Sequence, residues 1–79
     1  MFKNKNSDGS LNISGKHIKR LRKEMRISQR ELADKMQLLE LDLGKNAIQQ
    51  IESGSRFVTD IELGVFSAFF NIEPSELLK

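Results

Sequence analysis

Residues 28–54, SQRELADKMQLLELDLGKNAIQQIESG, decide the fold of this chain. Ser28 stands three residues before Glu31, the spacing at which a hydroxyl and a carboxylate each bind a free amide at a helix start. Gly54 follows a second periodic segment and can adopt the left-handed conformation that ends a helix. The stretch predicts two amphipathic helices and a connector, Leu38 to Gly44, longer than the roughly three or four residues usual between paired helices.

The periodicity of apolar residues predicts five helices, with no alternation typical of strands. A second capping box, Thr59 with Glu62, begins the fourth helix, and Pro74 suits the first position of the fifth. The helices are expected at about residues 14–25, 29–39, 45–53, from 59 onward, and 74–78. Their apolar stripes are Ile18, Leu21 and Met25; Leu32, Ala33, Met36 and Leu39; Ala47, Ile48 and Ile51; Leu63, Phe66 and Phe70; and Leu77. The expected fold class is all-α.

Composition excludes several function classes. With 79 residues the chain forms one small domain, and without cysteine it has no disulfide, no thiolate zinc site and no cysteine nucleophile. The single histidine and the lack of a phosphate-binding glycine loop argue against a metal site, a cofactor and an enzyme. Neither a membrane-spanning run nor a signal peptide is visible, so we expect a cytoplasmic protein.

Charge is distributed unevenly along the chain. Residues 1–30 hold nine Lys or Arg and two Asp or Glu, whereas residues 31–79 hold four and nine. This separation favours a polyanion partner for the basic end. Residues 1–12 contain little to bury and are expected to form a flexible arm ahead of a domain at residues 13–79.

Three segments together, LRKEMRISQRELADKM, NAIQQIESG and TDIELGVFSAFFNIEPSELL, resemble the Cro and phage-repressor family, the xenobiotic-response-element type of helix-turn-helix. The resemblance covers residues 15–78. It rests on Ser28-Gln29, Glu31-Leu32-Ala33, Ile48, Ile51-Glu52, Gly54 and Leu77-Leu78. It implies a five-helix lambda-repressor-like domain whose second and third helices form the motif. The implied function is a sequence-specific double-stranded DNA-binding regulator, a repressor that binds a palindromic operator as a homodimer.

The third helix would then lie in the major groove with its first turns at the base edges. The family reads bases through positions that correspond to Lys45, Asn46 and Gln50, with Gln49 as a fourth candidate. Lysine can donate to guanine, and asparagine or glutamine can pair with adenine. The alternative is a solvated polar helix face.

The resemblance also implies contacts to phosphate and one structural ion pair. The candidates for phosphate are Gln29, Arg30, Ser53 and Arg56, and the basic charge of the first helix adds Lys19. Lys16, Lys19, Arg20 and Lys23 could instead serve only to solvate the first helix. Arg22 and Glu52 correspond to the family's partly buried ion pair, the alternative being two independent surface charges.

Two apolar regions have more than one interpretation. Val65 and Phe69, beside Ile61, are a candidate dimer surface, with Phe57 nearby, or they pack within the chain. The connector is about five residues longer than the family pattern. We expect it to extend the second helix by about one turn and to bury Leu39 and Leu43, although it could form a wall beside the third helix or a partner-binding knob. The alternative function is a protein-interaction module or antitoxin-like partner.

Overall fold

The computed structural model describes residues 5–79, which form an all-α domain with no strand in that range. The helices are α1 (Gly15–Glu24), α2 (Gln29–Leu38), α3 (Lys45–Ser53) and α4 (Asp60–Phe70), followed by a 3-10 helix, Pro74–Leu77. The predicted short fifth helix, at residues 74–78, is present as this 3-10 helix, so five helices of the α type are not confirmed. The last segment has one turn only, and its hydrogen bonds join residues three apart, at 2.9 and 3.1 Å, as a short helix after a proline allows.

Both predicted capping boxes are present at the starts of α2 and α4. Ser28 Oγ accepts from the Glu31 amide at 3.0 Å, and the Glu31 carboxylate accepts from the Ser28 amide at 2.9 Å. Thr59 and Glu62 repeat the arrangement at 3.1 and 2.9 Å. The bond from the Ser28 backbone holds the pKa of Glu31 below its ordinary value, because it favours the charged carboxylate.

All four α-helices end through a residue in the left-handed conformation. Gly54 does so after α3, as predicted, with φ of 80°. Arg26, Glu40 and Asn71 do the same after α1, α2 and α4, with φ of 60°, 64° and 56°. In each case the following amide donates to a carbonyl five residues back, at 2.9 to 3.4 Å, which closes the helix end.

The connector turns back at Glu40 instead of extending α2, so that part of the prediction was wrong. Leu39 occupies the C-cap of α2 and is 47% exposed, contrary to the expected burial. Leu43 is 4% exposed and belongs to the core, as predicted. The reversal after Leu38 explains both outcomes, since it leaves Leu39 outside and returns the chain to the core two residues before α3 begins.

The core forms where α1, α2 and α3 meet α4 and the 3-10 helix. Met25, the last residue of the predicted α1 stripe, is 47% exposed because α1 ends at Glu24. The core consists of Ile18, Leu32, Ala33, Met36, Leu43, Ile48, Ile51, Phe66 and Leu77, with Leu21, Ala47, Leu63 and Phe70 packed against it.

The segment before α1 is attached to the end of α3. The Leu11 amide donates to the Gly54 carbonyl at 2.8 Å, and Asn12 makes further hydrogen bonds to the same region. Residues 1–4 of the predicted arm lie outside the described residues. The flexibility of residues 1–12 and the domain boundary at residue 13 stay predictions.

Candidate nucleic-acid interface

The third helix separates its apolar and polar residues onto opposite faces. Ile48 and Ile51 are fully buried, while all four candidate base-contacting residues are exposed. These are Lys45, Asn46, Gln49 and Gln50. Gly44 precedes the helix and has no side chain with which to cap it, so the first amides of α3 stay available to an external acceptor.

A nearly buried ion pair joins α1 to α3. Arg22 Nε donates to Glu52 Oε2 at 2.7 Å, and Arg22 Nη2 donates to Glu52 Oε1 at 3.1 Å. The two side chains are 10% and 2% exposed. Arg22 Nη1 also donates to the Ile27 carbonyl at 2.8 Å, so the guanidinium spans α1, the α1–α2 turn and α3. Such a bidentate contact between a guanidinium and a carboxylate fixes their relative orientation as well as their distance.

Gln29, the first residue of α2, is tied to the same carboxylate. Its Nε2 donates to Glu52 Oε1 at 3.1 Å, and the residue is half-buried. An amide nitrogen carries two hydrogens, so one remains after this bond. The ion pair therefore fixes the side chain of Gln29 at the N-terminus of α2. One N–H of that side chain remains available there, beside the first backbone amides of the helix.

The loop after α3 carries the other predicted phosphate contacts. Ser53 is exposed, and its hydroxyl donates to the Gln50 carbonyl at 3.2 Å. Arg56 is half-buried, and its Nη2 lies 3.3 Å from Glu62 Oε2. Glu62 is 8% exposed and also caps α4, so it fixes the guanidinium while three of the five donors stay free.

The remaining candidates lie at the surface. Arg30 is exposed beside Gln29, and Lys19 is exposed on α1. Arg20 on the same helix pairs with Glu24 at 3.0 Å, with both side chains more than half exposed.

Asn12 and Gly15 are part of this region and were missed by sequence reasoning. Asn12 accepts from the Gly15 amide at 2.8 Å and donates to the Ile51 and Arg56 carbonyls at 3.0 and 2.8 Å. Gly15 lies so close to α3 that an added Cβ would overlap the Ile51 carbonyl oxygen. An asparagine three residues before a helix start is a possible local cap, which is the signal that could have indicated Asn12.

The two residues of the candidate dimer surface are only partly exposed. Val65 and Phe69 are half-buried, and the Phe69 ring meets Phe70 edge-on with centroids 5.0 Å apart. Ile61 and Phe57, by contrast, are 72% and 53% exposed. The apolar surface available to a partner therefore includes the start of α4 and the preceding loop.

Residues 5–79 contain no cluster of His, Asp or Glu that could hold a metal ion. No helix there has both the length and the apolar character needed to cross a bilayer.

Comparison with known protein families places the helices described above in a matching family. A family model described as helix-turn-helix matches residues 18–77, which include all four α-helices except the first three residues of α1. No curated protein and no solved structure showed significant similarity. Because the matched range contains α2, the connector and α3 in the expected order, the chain belongs to the Cro and phage-repressor type of helix-turn-helix family, whose members are DNA-binding regulators.

Proposed function

We propose that this protein is a sequence-specific transcriptional repressor that binds double-stranded DNA in the cytoplasm, as a homodimer on a palindromic operator. The observation that carries the proposal is the polar face of α3. Its outward residues are all hydrogen-bonding types, and Ile48 and Ile51 anchor the opposite face in the core. In a helix-turn-helix motif, the second helix of the pair contacts base edges with its first turns. In this chain that helix is α3.

Lys45, Asn46, Gln49 and Gln50 are the base-contacting residues of the proposal. Lysine donates to guanine O6 and N7, and the amides of asparagine and glutamine match adenine N6 and N7. Each good bidentate pair discriminates by about 1–3 kcal/mol. These side chains occupy the two N-terminal turns of α3, where the uncapped amides add an electrostatic preference for polyanion.

Gln29, Arg30, Ser53, Arg56 and Lys19 are the phosphate contacts of the proposal. Gln29 and Arg56 support it best, because each is held by a nearly buried glutamate and keeps unused donors. A residue already fixed in place loses less conformational entropy when it binds. These contacts would set the register of the domain on DNA without reading sequence.

The homodimer of the proposal uses Val65 and Phe69, together with the exposed Ile61 and Phe57. Two copies related by a two-fold axis would place their third helices in major grooves one helical turn apart. Sedimentation at micromolar concentration is expected to give a dimer, or a monomer that dimerises on operator DNA. A protein that stays monomeric on its selected site would contradict this part of the proposal.

Selection of bound sites from random duplexes, followed by anisotropy titration at several salt concentrations, tests the function. A palindrome is expected, with affinity that falls as salt rises. The triple variant Lys45→Ala, Asn46→Ala, Gln50→Ala should lose sequence preference and retain its helical circular dichroism. Lys35→Ala, an exposed lysine of α2 outside the proposed contacts, is the control for lost charge. Wild-type protein without salt-dependent binding would refute the proposal.

Exposed leucines at the end of α2 favour a second candidate, a protein-interaction module. Leu38 and Leu39 are 78% and 47% exposed, an apolar corner that DNA phosphates would not use. The same titration separates the candidates, because a pure interaction module binds duplex DNA without a preferred sequence or not at all.

A further inference from the structure

Asn12 closes the loop that follows α3. Its side-chain nitrogen carries two hydrogens, and they donate to the Ile51 carbonyl in the last turn of α3, at 3.0 Å, and to the Arg56 carbonyl in the loop, at 2.8 Å. Its side-chain oxygen accepts from the Gly15 amide at 2.8 Å. One side chain therefore joins the start of α1, the end of α3 and the backbone of Arg56.

Neighbouring contacts attach the same segment to the same loop. The Leu11 amide donates to the Gly54 carbonyl at 2.8 Å, and Ser10 lies directly against Gly54. The carbonyls at a helix end lack partners within the helix, and at the end of α3 Leu11 supplies a donor for Gly54 and Asn12 supplies one for Ile51. Residues 51–56 are thus held from one side by the chain that precedes α1.

Arg56 is held at both its backbone and its side chain. Asn12 fixes the carbonyl, and Glu62 fixes the guanidinium through contacts of 3.3 and 3.5 Å. The loop is otherwise short and polar, with Ser53 and Ser55 exposed. Without Asn12 the backbone of Arg56 would be free to move away from α3, and its side chain would have to be ordered during binding.

We propose that Asn12 is a positioning residue that presents the 53–56 loop, and Arg56 in particular, to DNA phosphate. The inference rests on the proposed function and adds to it a residue outside the helix-turn-helix. Asn12 acts through the loop and makes no contact with base edges. It should therefore change the number of phosphates neutralised and leave the choice of bases unchanged.

The test compares Asn12→Ser with Asn6→Ser in the full chain. Serine at position 12 keeps a hydroxyl for the Gly15 amide but cannot reach both carbonyls, and the change adds no charge. Asn6 contacts Ser10 and the Asn12 carbonyl, with no bond to α3 among the described contacts, so it is the matched control. Affinity for the selected operator and for single-base variants is measured by anisotropy from low to moderate salt.

For Asn12→Ser the slope of log affinity against log salt is expected to fall by about 0.9, the value of one phosphate contact. The ratio of affinities for operator and variant sites should stay that of wild type, and Asn6→Ser should keep the wild-type slope. In an Arg56→Ala background, Asn12→Ser should not change the slope further. An unchanged slope in folded Asn12→Ser, or full additivity with Arg56→Ala, would overturn the inference while the proposed function stands. Wild-type protein that binds no duplex would overturn both.

Hydrogen exchange of the wild type decides the matter if Asn12→Ser does not fold. The Leu11 amide donates to the Gly54 carbonyl at 2.8 Å, and the Ser55 amide, within the loop, donates to the Gln50 carbonyl of α3 at 2.9 Å. They should show similar protection if residues 10–12 and the loop open as one unit. A Leu11 amide that exchanges far faster than that of Ser55 would mean that the segment leaves while the loop persists, which overturns the inference.

Discussion

Removal of one partner of the Arg22–Glu52 pair should destabilise the domain more than removal of both. In Glu52→Leu the Arg22 guanidinium, 10% exposed, keeps its bond to the Ile27 carbonyl but loses its counter-charge. In Arg22→Met the Glu52 carboxylate, 2% exposed, keeps the single bond from Gln29. Each single variant leaves a charge desolvated and unpaired.

The expected loss for each single substitution is about 3–5 kcal/mol of unfolding free energy, the usual result for a broken buried pair. This is a large part of the roughly 5–15 kcal/mol available to a small domain. The double variant has no buried charge to compensate and gains apolar contact between α1 and α3. It should therefore be more stable than either single variant.

Urea unfolding followed by circular dichroism measures the four proteins of this cycle, with equal slopes required for the comparison. Arg20 and Glu24 provide an internal control, because their pair has a similar length, 3.0 Å, but side chains that are 56% and 61% exposed. Their coupling should not exceed about 0.5 kcal/mol. If the losses of Arg22→Met and Glu52→Leu simply add, the reasoning from burial is refuted.

Three further predictions concern the packing and capping of the fold, and two of them compare a substitution with a control. Gly15→Ala should cost about 1–3 kcal/mol by overlap with α3, whereas Gly64→Ala, with open space around its added methyl, should gain about 0.5–1 kcal/mol; equal effects would contradict the close approach. Leu43→Ala should cost about 2–5 kcal/mol, and the exposed Leu39→Ala much less, as measured by urea unfolding. The folded pKa of Glu31 lies below its unfolded value, so its carboxylate stabilises the fold above about pH 5 and this contribution is lost as the pH falls. Glu31→Gln should therefore flatten the decline in stability below that pH, and an unchanged pH profile would argue against the capping box.

The helices that could be predicted from sequence are those whose signals are local. Ser28 and Thr59 mark starts because a capping box needs only residues three apart, and Gly54 marks an end because glycine tolerates a positive φ. Between such marks the period of apolar residues leaves little freedom. The observed bounds of α3 accordingly match the predicted residues 45–53.

The features that sequence could not predict depend on contacts or on unfavoured conformations. Arg26 and Glu40 adopt the left-handed conformation, which costs a non-glycine residue about 1–2 kcal/mol, so neither indicates a helix end. The exposed Leu39 follows directly from the turn at Glu40. Asn12 can be recognised from sequence as a possible cap of α1, but its contacts to the end of α3 could not be predicted, since those partners lie 39 and 44 residues away.

The proposed interface contains two kinds of residue, exposed side chains of α3 and side chains that are held by nearly buried glutamates. Lys45, Asn46 and Gln50 are exposed and contribute little to the core, so their replacement should alter sequence preference at small cost to folding. Gln29 and Arg56 each donate to a nearly buried glutamate, so the orientation of these two proposed phosphate contacts depends on packing inside the domain.

Substitutions at these two kinds of residue are expected to have different effects. Under the proposed function, a substitution on the outward face of α3 is expected to change the bases read while the phosphate contacts keep the domain in the same register on DNA. A substitution at Glu52 or Glu62 is expected to alter stability and the proposed phosphate contacts together, because each nearly buried carboxylate also binds Gln29 or Arg56. Operator choice is therefore expected to vary among related chains through α3, with the two glutamates and the geometry they impose left in place.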